Sequence, residues 1–298
     1  MEGMWPVDNL DVARTLRFCV PNDRLVLQAG HEATCYAQWT SAGAATIRVA
    51  QRGRELVADT VGPGAEAALA AVPRTLGLDD DPDTFDPGSA LLRQLHRRFA
   101  GFRLGANGRV FDTLLPTILG QRVTTEEASR SYRRVIQRVG EPAPHQPGLF
   151  LPPRPDAVLT LSFADFHTMG IEQSKARIVR EVARRASRLQ EIAVMGKSEA
   201  VARLEAIRGI GPWTSAQVMG AAWGDRDSVP VGDFHLPNTV AWALAGEPRG
   251  SDDRMLELLE PYRPQRRRAL LLLKMARIQA PRYGPRTPQS VISRGGRY

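Results

Sequence analysis

Apolar side chains recur every three or four residues over most of the chain after residue 88, which is the spacing of helices that bury one face. This pattern predicts helices at Ser89–Phe99 and Val110–Gly120. Thr124 and Glu127 have the spacing of a capping box, which predicts that a helix begins there and continues to Val139. Further helices are predicted at Asp156–Phe166, Lys175–Leu189, Ser198–Ile207, Trp213–Trp223, Asn238–Ala245, Arg254–Leu259 and Gln265–Ala276.

The first 75 residues show a different pattern, with short runs of β-prone residues between glycines. Strands are predicted at Leu25–Leu27, Cys35–Trp39 and Ala45–Val49. Ala65–Ala71 is predicted to be a helix, and the acidic, turn-rich stretch Asp79–Gly88 is the best candidate for a domain boundary. We therefore expect a mainly α protein, with a small β-rich α+β domain at residues 1–85 and an all-helical part at residues 86–298.

Charge is distributed unevenly along the chain, which has 298 residues, 40 basic and 32 acidic side chains and a net charge of +8. Ten of the basic residues and none of the acidic ones lie between Pro261 and Tyr298. Such an excess at one end predicts attraction to a polyanion, and the alternative for the basic tail at residues 278–298 is a solvated segment. An arginine cluster before this tail is either a phosphate contact or a solvated helix end. It comprises Arg263, Arg266, Arg267 and Arg268.

Composition excludes several classes of protein. No apolar run approaches the roughly 18 residues of a membrane helix, and the chain does not open with a basic leader, so we expect no membrane partner and a cytoplasmic location. Cys19 and Cys35 are too few for an iron–sulfur cluster or a structural zinc site. They are expected to be free thiols, with a disulfide between them as the alternative. The five histidines are scattered, so no transition-metal site is expected.

The strongest chemical signal lies in the hairpin motif at residues 204–216. Leu204 and Ile207 close one helix on its apolar face, the run Gly209-Ile210-Gly211 permits a tight turn, and Pro212 suits a first helical position. Two helices joined in this way present backbone N–H groups and a helix N-terminus, which bind a phosphate without reading sequence. The motif predicts a DNA-binding helix–hairpin–helix, and an ordinary helical turn is the alternative.

The hairpin motif is followed by Val-Pro-Val-Gly-Asp-Phe-His-Leu-Pro at residues 229–237. Together the two segments resemble the helix–hairpin–helix superfamily of base-excision DNA glycosylases, and most closely its 3-methyladenine glycosylase II branch. The resemblance covers roughly Ser89–Arg277. It implies two helical subdomains around a cleft, and a loop at residues 229–237 that carries the catalytic carboxylate, Asp233.

Asp233 suits this role because cleavage of an N-glycosidic bond builds positive charge on the deoxyribose of a flipped-out nucleotide. A nearby carboxylate stabilises that charge and can help a water molecule attack. The alternative is that Asp233 only caps the helix predicted from Asn238. The intervening residues and Pro237 argue against this alternative.

The resemblance also implies a monofunctional enzyme. Branches that cut the DNA strand carry a lysine nucleophile inside the hairpin, and Trp213 stands at that position here, so the expected product is an abasic site with no lyase step. Trp213 either attracts a cationic alkylated purine through its ring face or only packs its helix. Gln217 and Lys274 stand where the branch has further aromatic pocket residues, and these departures leave the preferred lesion open.

The resemblance implies further contacts to duplex DNA that contains a damaged base. The hairpin contacts involve Gly209, Ile210, Gly211 and Thr214. Gln121 and Arg122 are expected to fill the gap left by the flipped base, and His235 to contact a phosphate. Hairpin carbonyls are expected to hold a monovalent cation, Na⁺ or K⁺, with no other cofactor and a monomeric protein.

Two functions follow from these observations. The first is a glycosylase that removes damaged, in particular alkylated, purines. The second is a non-catalytic helix–hairpin–helix protein that binds duplex or damaged DNA, which the altered pocket positions favour. A glycosylase with lyase activity on oxidised bases is disfavoured by Trp213.

Overall fold

The computed structural model describes residues 1–20, 25–29 and 33–281, so most of the basic tail at residues 278–298 lies outside the described residues. The N-terminal part is a five-stranded antiparallel sheet with strand order β1-β5-β4-β3-β2. Its strands are β1 (Glu2–Pro6), β2 (Val26–Ala29), β3 (Ala33–Thr40), β4 (Gly43–Arg52) and β5 (Glu55–Val61). Two helices, α1 (Val12–Cys19) and α2 (Ala65–Thr75), pack against the sheet. The β-rich N-terminal region is confirmed.

The sequence pattern predicts neither β1, β5 nor α1. Strand β1 contains Gly3, ends at Pro6 and lies at the edge of the sheet, so it lacks the apolar alternation of a half-buried strand. Helix α1 has only 8 residues, and its start depends on Asp11, whose side chain accepts the backbone N–H of Arg14. These elements are held by long-range packing, since Leu16 of α1 is fully buried in the core beneath the sheet.

The remaining described chain is helical, as predicted. Its helices are α3 (Ala90–Arg98), α4 (Val110–Leu119), α5 (Thr125–Val139), α6 (Pro155–Leu159), α7 (Phe163–Thr168), α8 (Gln173–Arg184), α9 (Ala186–Gln190), α10 (Lys197–Glu205), α11 (Pro212–Val218), α12 (Leu236–Ala245), α13 (Asp252–Leu259) and α14 (Arg266–Met275). The capping box of Thr124 and Glu127 is confirmed. None of the helices in the described residues is both long and apolar enough to span a membrane.

Some predicted helices are interrupted. The helix predicted at Asp156–Phe166 is two helices, because Ser162 and Asp165 form a second capping box that starts α7. The helix predicted at Lys175–Leu189 is divided between α8 and α9. After α11 the chain continues as a turn of π-helix, Met219–Trp223, which ends at Gly224 with φ +96°.

Two apolar cores organise the fold. The first lies between the sheet and helices α4, α5 and α8, and the second joins α3, α12, α13 and α14. Helix α11 contributes Val218 to the first core, whereas α12 contributes Val240 to the second. The chain between α11 and α12 therefore crosses from one core to the other, and it contains Asp233.

A buried ion pair anchors the segment predicted as the domain boundary. Both carboxylate oxygens of Asp80 accept hydrogen bonds from Nη2 of Arg268, at 2.7 and 2.5 Å, and the two side chains are 0% and 1% exposed. The backbone N–H of Leu104 donates to the same carboxylate at 2.8 Å. The pair joins the segment Asp79–Gly88 to α14. Separating the two charges would leave each of them buried without a partner, which is strongly unfavourable.

The predicted phosphate role of the arginine cluster is wrong for most of its members. Arg266 binds Asp227, with 2.7 Å between Nη2 and Oδ2, and Arg268 binds Asp80. Arg267 is buried as well. Arg266 and Arg268 support the fold because carboxylates that are distant in sequence pair with them, which composition does not reveal.

We expect Asp80→Asn to lower the free energy of unfolding by roughly 3–5 kcal/mol, because it leaves the buried Arg268 charge without its partner. Urea unfolding measures this loss. The matched control is Asp79→Asn, since the Asp79 side chain is 76% exposed and its removal is expected to cost about 1 kcal/mol or less. Equal losses in the two variants would contradict the anchoring role of Asp80.

Candidate functional site

The helix–hairpin–helix predicted at residues 204–216 is formed by α10, a short turn and α11. Gly209 has φ +96°, and a side chain there would collide with Ile178 of α8, so the fold itself requires this glycine. Gly211 differs from the expectation, because a Cβ atom at this position would meet no other atom within 4 Å. The space in front of Gly211 is therefore open to a ligand's backbone.

The start of α11 faces this open space. Gly211 is its N-cap residue and no side chain caps the helix, so the first N–H groups lack partners of that kind. Ile210 differs from the prediction, since its side chain is buried in the first core and only its backbone could reach DNA. Apolar packing of Ile210 positions the turn instead.

Asp233 is held by three N–H donors. Its Oδ1 accepts the backbone N–H groups of His235 and Leu236, each at 2.9 Å, and its Oδ2 accepts the indole Nε1–H of Trp213 at 2.9 Å. Helix α12 begins at Leu236 rather than near Asn238, so Asp233 does bind the helix start, contrary to the sequence argument. The capping bonds and the bond to Trp213 fix the carboxylate in one orientation at the edge of the second core.

Trp213 lies between the two cores. Its ring is half-buried, with Cη2 3.8 Å from the position of a Cβ atom on Gly120 at the end of α4, and its opposite edge donates to Asp233. Gln217 follows one turn later on α11 and is also half-buried. Sequence reasoning singled out both Trp213 and Asp233 but not the bond between them, although a half-buried indole N–H needs an acceptor.

Gln121 and Arg122 follow α4 and have different surroundings. Nε2 of Gln121 donates to the Gly209 carbonyl at 2.9 Å and to Oγ1 of the buried Thr214 at 3.0 Å. The predicted DNA contacts of the Gln121 and Thr214 side chains are therefore not supported, because these groups brace the loop against the hairpin. Arg122 is exposed with φ +54°, so it is the member of the pair that projects from the turn.

A buried lysine that sequence reasoning did not assign supports the same loop. Nζ of Lys175 donates to the carbonyl of Leu119, the last residue of α4, at 3.2 Å. It lines a small cavity together with Val123 and Glu127. Loss of solvation lowers the pKa of Lys175, and the carboxylates of Glu172 and Glu127 act in the opposite direction. Lys175 thus closes the end of α4 just before Gln121 and Arg122.

Two exposed aromatic groups follow Asp233. The Phe234 side chain is 82% exposed, and its ring meets that of His235 edge to face at 4.8 Å between centroids. His235 is the N-cap residue of α12 and is exposed. Its contact to a phosphate stays a prediction. Phe234 received no role from the sequence, although an exposed phenylalanine beside a carboxylate is the signal that could have found it.

Within the described ranges, no group of three His, Cys, Asp or Glu side chains could hold a metal ion, and Cys19 and Cys35 are free thiols. A monovalent cation at the hairpin would need carbonyl oxygens. The Gly209 carbonyl accepts from Gln121 and that of Ile207 from the N–H of Ile210, and each oxygen retains a second lone pair. The cation stays a prediction.

Residues 115–264, which include the hairpin, Trp213 and Asp233, match the model of the HhH-GPD superfamily of base excision DNA repair proteins. The chain belongs to this family. A protein of Bacillus subtilis (strain 168), YfjP, whose name proposes a DNA-3-methyladenine glycosylase, is 24% identical over 177 residues. The match covers 58% of this chain and 61% of that protein, so it spans about three-fifths of the curated relative.

Two solved structures of DNA glycosylases share the fold. The 3-methyladenine DNA-glycosylase from Archaeoglobus fulgidus has a TM-score of 0.79 at 20% identity and covers 92% of this chain and 97% of its own. The 8-oxoguanine glycosylase/lyase of Clostridium acetobutylicum has a TM-score of 0.70 at 14% identity and covers 92% and 95%. The expected fold, a helical body with a small antiparallel sheet, is confirmed.

We expect the stability of the wild type relative to Lys175→Met to rise as the pH approaches 10.5, the ordinary value for lysine. The pKa of Lys175 is lower in the folded protein, so just below pH 10.5 the unfolded chain binds more protons than the folded one. Raising the pH removes these protons, which disfavours the unfolded state and increases the free energy of unfolding. Urea unfolding of both proteins from neutral pH to about pH 10 measures this slope. A rise of equal size for Lys197→Met, which removes a lysine that is 50% exposed, would contradict the assignment.

Proposed function

We propose that the chain is a monofunctional DNA glycosylase that hydrolyses the N-glycosidic bond of damaged purines, alkylated purines among them, and leaves an abasic site. The observation that carries this proposal is the Asp233 carboxylate, held by three N–H donors where the chain crosses between the two cores. The family of base excision DNA repair proteins to which the chain belongs supports DNA as its substrate.

In the proposed mechanism the hairpin binds the DNA backbone. The open space at Gly211 and the uncapped start of α11 receive a phosphate, and Arg122 fills the gap left by the flipped nucleotide. The deoxyribose then lies beside Asp233. Positive charge develops on the sugar as the bond to the base breaks, and the fixed carboxylate stabilises it and orients the attacking water.

The absence of a lyase step is proposed from Trp213. An indole N–H cannot form the covalent imine that precedes strand cleavage, and in this chain it donates to Asp233 instead. The overall fold does not decide this point, because a glycosylase/lyase is among the similar structures. The names of the Bacillus and Archaeoglobus relatives support alkylated purines as one class of substrate.

We expect Asp233→Asn to lower the single-turnover rate of base release by at least about 100-fold, because the amide cannot stabilise a cationic sugar. Duplexes with single damaged purines are incubated with the protein, and alkali then breaks the strand at each abasic site. Asp253→Asn is the matched control, since Asp253 is exposed near the start of α13 and outside the site.

Three outcomes would contradict the proposed function. Intact strands across a broad panel of damaged purines, together with tight binding that Asp233→Asn does not change, would favour the non-catalytic DNA-binding protein. Base release that survives Asp233→Asn would contradict the role of this carboxylate. A covalent protein–DNA complex trapped by borohydride would show a lyase step and would overturn the monofunctional assignment.

We expect Trp213→Phe to lower the rate of base release about tenfold at saturating protein, because the variant keeps an aromatic ring but loses the hydrogen bond to a charged carboxylate. The affinity for damaged DNA is expected to change less than the rate, since Trp213 acts through Asp233. Trp242→Phe, on an exposed tryptophan of α12, is the control. A loss of affinity without a loss of rate would assign Trp213 to binding of the base.

A further inference from the structure

Lys274 interacts electrostatically with Asp233. It lies on α14, which packs against α12, the helix that begins just after Asp233. Its ammonium lies 5.8 Å from the centroid of the Phe18 ring, on α1, and the side chain is solvent-exposed. The packing of α14 against α12 thus brings the Lys274 ammonium within electrostatic reach of the Asp233 carboxylate.

A second cation lies two helical turns earlier on the same face of α14. Arg267 is 7% exposed, and its guanidinium packs against the Cα atom of Gly220 in the π-helical turn. Its side chain makes no hydrogen bond or salt bridge in the described part of the protein, and the carboxylate of Asp225 stabilises its charge from a greater distance. Burial lowers the pKa of Arg267 to about 10, so the group is still charged at neutral pH.

The two charges act on each other. The Lys274 side chain reaches solvent, but the surrounding helices reduce its solvation and thereby lower its pKa. The charge of Arg267 lowers this pKa further, Asp233 raises it, and Arg17 lowers it. Within the described chain Lys274 has no salt-bridge partner, so Asp233 offsets only part of this positive potential. The charge that α14 presents toward Asp233 is therefore positive.

Positive charge from Lys274 and Arg267 discriminates between damaged purines according to the charge of the base. An ammonium and a guanidinium are donors without acceptors, so they attract a carbonyl oxygen and repel a purine that carries a positive charge after alkylation at a ring nitrogen. The chemistry acts in the same direction. When an uncharged base departs, the electron pair of the C1′–N bond stays on the base, and a nearby cation stabilises that negative charge. A cationic base leaves as a neutral molecule and needs no such partner.

We propose that Lys274, with Arg267 behind it, makes the site selective for uncharged damaged purines that carry a carbonyl oxygen over cationic alkylated purines. This inference rests on the proposed glycosylase activity and narrows its substrates. Lys274 is the specificity-determining residue, and Arg267 supplies a fixed charge from the interior.

The test uses two duplexes that differ only in the lesion, hypoxanthine as the uncharged oxo-purine and 7-methylguanine as the cationic purine. Single-turnover release of each base is measured for the wild type, Lys274→Met, Lys274→Arg and the control Arg97→Met, which removes one charge from an exposed position on α3. Each rate is divided by the spontaneous rate of the same duplex, because a cationic purine leaves more readily even without protein. We expect the wild type to accelerate the release of hypoxanthine more than that of 7-methylguanine. Lys274→Met should shift the ratio of the two rates about tenfold toward 7-methylguanine, Lys274→Arg should preserve it, and Arg97→Met should change both rates alike.

The comparison of the two lesions in the wild type needs no substitution, so it tests the inference even where a variant fails to fold. Thermal melting identifies such a variant. A larger acceleration of 7-methylguanine release than of hypoxanthine release, each relative to its spontaneous rate, would overturn the inference. So would a folded Lys274→Met protein with an unchanged ratio. Release of neither base, nor of any other damaged purine, would contradict the proposed glycosylase function instead.

Discussion

The buried ion pair between Asp80 and Arg268 is the constraint on which the geometry of the candidate site depends. Both side chains are buried, so moving them apart would leave two charges without a partner or water. The pair therefore fixes α14 against the segment that joins the N-terminal region to the helices. Arg267 and Lys274 are carried on the same helix, and their direction follows from that anchor. Arg266 reinforces it by pairing with Asp227, which lies in the chain leading to Asp233.

A second constraint is a hydrogen bond that links the two apolar cores. Trp213 belongs to a helix of the first core, and Asp233 precedes a helix of the second, so their hydrogen bond is a direct link between the two halves of the site. The carboxylate is oriented only while both cores keep their relative placement. The bonds from His235 and Leu236 then tie the same group to the start of α12, so helix capping and the candidate catalytic role use one side chain for both purposes.

Much of the fold could be predicted from the sequence because amphipathic helices repeat a local pattern, and the hairpin and Asp233 were found because their motifs are contiguous. What the sequence could not show is which distant groups meet. Arg268 reads as a solvated cation until Asp80 is placed beside it, 188 residues away in the chain. Gln121 reads as an exposed polar residue, yet it braces the hairpin. The early start of α12 was missed because Pro237 was taken to separate Asp233 from the helix, whereas proline suits its first turn.

The same fold serves proteins named for 3-methyladenine and for 8-oxoguanine, so the fold alone does not select the base. In the proposed mechanism, selection comes from the few side chains that surround the flipped nucleotide. In this chain the indole N–H of Trp213 donates to the Asp233 carboxylate, and helix α14 carries Lys274 and Arg267. In the proposed site, positive charge from α14 and a single carboxylate at the sugar favour a base that gains negative charge as it leaves. The sign of that charge, rather than the shape of the fold, is then what distinguishes one lesion from another.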